Sequence, residues 1–171
     1  MLFKCTAKVK AEFGSTNRGL VDGPVDNPGS FHEWYCNLFH LERHKCLILT
    51  EATTLFSFIV PGIRRDELRD FGKLFRSQAV EALFNDGFTR TQAKRLMDDG
   101  PDYYAKADSR AVLGSMTDLV RMCRFQVSRR GGFDRADFSR INIELNSTPM
   151  SYIGMQGPSE CLRSILALHG R

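Results

Sequence analysis

The sequence predicts an α+β fold in which a small antiparallel sheet is roofed by helices. Three observations carry this expectation. Trp34 to Val60 contains three apolar runs split by short polar breaks, the pattern of a three-stranded meander. From Asp66 onward, apolar residues recur at helical spacing in one segment after another. Strands therefore come first and helices mostly follow, an order that places helices against an antiparallel sheet.

Taken in order, Met1 to Cys5 reads as a short strand, and Thr6 is placed to cap a helix over Ala7 to Phe13. Residues 14–31 are rich in Gly, Pro, Asn and Asp and predict a long loop. Glu33 to Leu41 is the first meander strand, with Trp34, Cys36, Leu38 and His40 facing one way and Tyr35, Asn37 and Phe39 the other. Lys45 to Thr50 is apolar on both faces, as a central strand covered on each side should be. Thr54 to Val60 ends at Pro61-Gly62, where proline withdraws a ladder donor. A helix from Asp66 to about Phe84 buries Leu68, Phe71, Phe75, Ala79 and Leu83, and Gly87 stops it. Thr89 and Gln92 have capping-box spacing for a short helix to about Asp98. Asp102 to Lys106 is a further strand. Asp108 or Ser109 caps a helix to about Arg130, whose apolar stripe is Val112, Met116, Leu119, Val120, Cys123 and Val127. Ala136 to Leu145 and the stretch from Pro158 complete the helices.

A chain of 171 residues suits one domain, spanning 1–171, with enough core to be stable without metals or disulfides. Its 42% hydrophobic and 26% charged residues are ordinary for a globular chain. The start, MLFKCTAKVK, lacks the apolar core of a secretory leader, and no run reaches the roughly 18 apolar residues of a membrane span. A cytosolic protein is expected. Cys5, Cys36, Cys46, Cys123 and Cys161 are odd in number, contain no CxxC pair and lie in apolar stretches, so they read as reduced core thiols. A net charge of +4 permits an anionic partner without requiring one.

Four stretches carry a family resemblance: MLFKCT, then WYCNLFHLERHKCLILT with TLFSFIVPG, then DSRAVLGSMTDL, then INIELNSTPM. In this order the chain resembles an uncharacterised family of small bacterial and phage proteins, a domain of unknown function. The resemblance implies one compact domain and supplies no catalytic residue to carry over. Family members often carry histidine where Tyr35 stands and asparagine where Thr117 stands. Chemistry that depended on either side chain would not transfer.

His32, His40 and His44 lie near Cys36 and Cys46 but show no zinc-finger or ribbon spacing, so no metal is expected. No cofactor is expected either, because neither a Walker loop nor a dinucleotide fingerprint is present. Ser115 and Asp118 are helical neighbours, yet no nucleophile elbow surrounds them, and Gly114-Ser115 reads as a close-packing point. Arg121, Arg124, Arg129 and Arg130 form a candidate anion or nucleic-acid surface, since guanidinium forks suit phosphate. Aromatics are not interleaved there in an RNA-binding pattern. Asn37, Arg43, Lys45, Arg110, Ser115, Asp118, Glu144 and Asn146 are polar residues lodged in apolar surroundings. They suggest either structural bracing or a shared polar pocket between the meander and the Arg110 helix. The leading expectation is a non-enzymatic module acting through a protein or nucleic-acid partner. One alternative is an enzyme or binder for a phosphate-containing substrate, with Asn37, Arg110 and Asp118 near the site. Another is a homo-oligomer joined through a sheet edge or the C-terminal helix.

Overall fold

The computed structural model describes residues 1–13, 31–97 and 100–168. The fold is α+β, built on one five-stranded sheet in the order β4-β3-β2-β1-β5. The strands are β1 (Leu2–Cys5), β2 (Glu33–Leu41), β3 (His44–Glu51), β4 (Ser57–Val60) and β5 (Tyr103–Lys106). The helices are α1 (Ala7–Phe13), α2 (Phe71–Asn85), α3 (Arg90–Leu96), α4 (Arg110–Arg129), α5 (Phe138–Asn146) and α6 (Pro158–Leu168). The expected loop over 14–31 lies outside the described residues except for Phe31, which is buried.

β2, β3 and β4 form the expected antiparallel meander. The sheet as a whole is mixed, because β1 runs parallel to both β2 and β5. Parallel neighbours need a long crossover, and the chain between β1 and β2 is long enough and carries α1. Apolar periodicity cannot report strand direction, so this departure was invisible in the pattern.

Alternation along the strands separates two cores. Phe3, Trp34, Cys36, Leu49 and Phe58 face α1, α2 and α3. There, Phe3 meets the Phe71 and Phe75 rings edge-on, each at 4.9 Å. Tyr35, Phe39, Cys46, Ile48 and Ile59 face α4 and α5. The central strands are thus covered on both sides, as the apolar run in β3 predicts.

Two element bounds differ most from expectation. Residues Glu67–Asp70 form a separate 3-10 turn, and α2 begins only at Phe71, because Asp70 leaves the helical backbone at φ −119° and ψ 61°. β4 begins at Ser57, since Glu51 to Phe56 form a tight turn with Leu55 at φ 59°. The Thr89–Gln92 capping box is present, and Ser109 rather than Asp108 caps α4.

α4 ends at Gly131 and Gly132, which take φ of +87° and +101°, values costly for a residue with a Cβ. Beyond them Phe133 stacks on His44 at 3.8 Å and donates its backbone N–H to Glu42 at 3.0 Å. These contacts fasten the end of α4 to the β2–β3 hairpin.

Candidate functional site

The eight polar residues do not converge on one pocket. Asn146 is fully buried at the outer edge of β4: its Oδ1 accepts from Ser57 N, and its Nδ2 donates to Ser57 O, both at 2.8 Å. One turn earlier Asn142 accepts from Ile59 N at 3.0 Å. Two side-chain amides thus finish the ladder of an edge strand. Lys45 pairs with Glu12 of α1 at 2.5 Å, on the other face of the sheet. Ser115 donates back to the Ala111 carbonyl at 3.1 Å. Asp118 sits on the solvent face of α4 and pairs with Arg121 at 3.1 Å. Arg43 is exposed in the β2–β3 turn. A Cβ on Gly114 would meet no atom within 4 Å, so the close packing expected at Gly114-Ser115 is absent at the glycine.

Asn37 lies beside the C-terminal end of β1, next to a small polar network built by the residues that lead into α4; Arg110 is the exposed first residue of that helix. Thr6 Oγ1 donates to Asn37 Oδ1 at 3.1 Å. Tyr35 donates its hydroxyl to Asp108 Oδ1, and Lys4 its ammonium to Asp108 Oδ2, both at 2.6 Å. Burial, reinforced by the Asp108 carboxylate, pushes the Tyr35 hydroxyl well above its ordinary pKa, so it remains a donor. Partial burial opposes ionisation of Asp108, but the Lys4 ammonium and Tyr35 hydroxyl outweigh it and hold the carboxyl below its usual range. Three of the stretches that carry the family resemblance meet here. Asp118 is absent from this network: Asn37 lies on the sheet face that α4 covers, and Asp118 on the side of α4 turned away from it.

A second polar cluster escaped sequence reasoning apart from Asn146. Thr50, Glu51, Thr54 and Ser57 are all fully buried around the β3–β4 turn. Glu51 Oε2 accepts from Thr53 N at 3.0 Å, Thr54 N at 2.6 Å and Thr54 Oγ1 at 2.7 Å. Nearby, Asp86 accepts from Ser159 at 2.7 Å and pairs with Arg163. Burial raises the pKa of both carboxyls despite these donors. The cluster folds the turn and seats the first turn of α6. The Thr-rich run Glu51 to Thr54 was the only available sequence signal.

The arginine surface is the most open of the three localities. Along the solvent face of α4, Arg121, Phe125 and Arg129 follow at i, i+4 and i+8. Phe125 is 60% exposed, and the Arg129 guanidinium lies 5.6 Å from its ring centroid. Phe125 is therefore the functional candidate that sequence reasoning missed, since periodicity alone does not say which aromatic is left outside. Arg124 reaches the His40 carbonyl at 3.4 Å. Behind Arg129, a cleft of about 370 Å³ is lined by Gln126, Arg129, Arg130, Arg140 and Glu144. Glu144 holds Arg130 at 2.7 Å and Arg140 at 3.3 Å.

The cysteines offer no activated nucleophile among these groups. Cys5, Cys36, Cys46 and Cys123 are buried. Burial pushes Cys123 up to about 12, and Cys36 and Cys46 are raised as well. Among the described residues, no three His, Cys, Asp or Glu side chains are grouped to hold a metal ion, and no helix is long and apolar enough to cross a membrane.

No curated protein matches the chain. The model of a family described as Domain of unknown function (DUF6933) matches residues 2–161, which takes in every described strand, α1 to α5 and, but for Met1, all four resembling stretches, and the chain belongs to that family.

Proposed function

We propose that this protein is a non-enzymatic module that binds single-stranded nucleic acid along the outer face of α4. The observation that carries this reading is Phe125, a large ring left in solvent between Arg121 and Arg129 on one helical line. An exposed ring gives a base a surface to stack on without regard to sequence, and flanking guanidiniums track the phosphates. Ser115, the candidate nucleophile, donates to the Ala111 carbonyl rather than to a base.

The test is fluorescence anisotropy with a labelled, unstructured oligonucleotide. Phe125→Ala should weaken binding by about tenfold or more, in line with the roughly 1–3 kcal/mol of one base–aromatic stack. Phe125→Trp should preserve it. Equal affinity of wild type and Phe125→Ala would end the proposal.

A second reading is supported by the network around Asp108. β1 and β5 are parallel neighbours whose following helices, α1 and α4, pack on opposite faces, and ligands favour the crevice at such a point. A small phosphate ester bound there beside Arg110 should raise the melting temperature, and Arg110→Ala should abolish that rise. No rise with any ester would remove this reading.

A further inference from the structure

We infer that the cleft behind Arg129 is a receptor for a terminal phosphate monoester of the bound strand. The inference rests on the reading of α4 as a strand-binding face, and it specifies which end of the ligand that face holds. Three guanidiniums, from Arg129, Arg130 and Arg140, converge with one carboxylate, Glu144, on the cleft. They leave it with an excess of two positive charges, matching a phosphate monoester, which carries about −1.5 to −2 at neutral pH. An internal phosphodiester carries one charge and continues in both directions, which suits an open helix face better than a cleft backed by a second helix.

The arginines are not equally committed. Arg130 is braced at both ends: it donates to Gln126 Oε1 at 2.6 Å and to Glu144 Oε1 at 2.7 Å. Among the described residues the Arg140 side chain bonds only through its Nε, toward Glu144 at 3.3 Å, and it is 71% exposed. Its two terminal nitrogens remain available as a fork. Arg129 has no acidic partner among the described residues, and its guanidinium lies over the Phe125 ring. That contact joins the cleft to the stacking surface, so a terminal nucleotide can place its phosphate among the arginines while its base covers Phe125. A simple brace between α4 and α5 would need only the Arg130–Glu144 pair. The second and third guanidiniums go unexplained by bracing.

The experiment compares one oligonucleotide sequence bearing a 5′-phosphate, a 3′-phosphate or hydroxyls at both ends, against wild type and Arg140→Ala. One phosphorylated form should bind wild type about tenfold tighter than the hydroxyl form, the gain expected of a charge-assisted anion contact. Arg140→Ala should erase that preference and leave binding of the hydroxyl form nearly unchanged. Arg140 is exposed, so its loss should not unfold the protein. Equal affinity for all three ends would overturn the inference while leaving the strand-binding proposal standing, as would a preference that survives in Arg140→Ala. Failure of every form to bind would overturn both.

Discussion

Asn146 shows how a single amide can do the work of a strand. The backbone N–H and C=O of Ser57 point away from β3, at the rim of the sheet, where water or another chain would otherwise claim them. Asn146→Ala orphans both groups inside a buried site. At about 1–3 kcal/mol per unsatisfied group, urea denaturation should record a loss of roughly 2–6 kcal/mol. Asn142→Ala removes one acceptor and should cost less. Glu51 makes a separate prediction. Burial lifts its folded pKa above the unfolded value, so its contribution to stability is fullest below the ordinary carboxylate range. That contribution is lost as pH rises through the folded pKa. Glu51→Gln keeps an oxygen for the Thr53 and Thr54 donors and carries no charge. Melting temperatures measured from pH 4 to 8 (roughly the window in which carboxyls titrate) should therefore favour the variant increasingly as pH rises. A constant difference would show that Glu51 does not titrate in the fold.

At the scale of elements, α4 was the most legible. Its apolar stripe and its Gly131-Gly132 stop were present in the pattern, which left the cap open between Asp108 and Ser109, and the structure places the boundaries where that pattern implied, with Ser109 as the cap. α2 was less legible, because a 3-10 turn and an α-helix present similar apolar spacing and only the backbone at Asp70 separates them. The candidate site divided along the same line. The arginines of α4 were visible as a group because helical spacing alone fixes their neighbours. Asn37 and Tyr35 could not be joined to Lys4 and Asp108 in advance, since β1 and β5 meet β2 only through parallel pairing across distant parts of the chain. Glu144 and Asn146 sit two residues apart on α5 yet serve different neighbours: one faces the arginines of α4, the other the edge of β4.

For the whole molecule, the sheet keeps two layers of helices apart and gives each a different task. The layer containing α1, α2 and α3 encloses an aromatic core around Phe3, Trp34 and Phe75. The layer containing α4 and α5 turns its outer side to solvent as a basic surface with one exposed ring. A net charge of +4 permits an anionic partner without requiring one, so the proposed attraction rests on this local grouping rather than on the charge of the whole chain. The most direct measurement is the salt dependence of oligonucleotide affinity. If α4 is the contact surface, the logarithm of the binding constant should fall linearly with the logarithm of salt, by about 0.7 per phosphate contacted. Arg121→Ala combined with Arg129→Ala should make that slope shallower by about 1.4, one contact's worth for each arginine removed. A slope that is the same in wild type and double variant, or an affinity that does not respond to salt, would contradict the account.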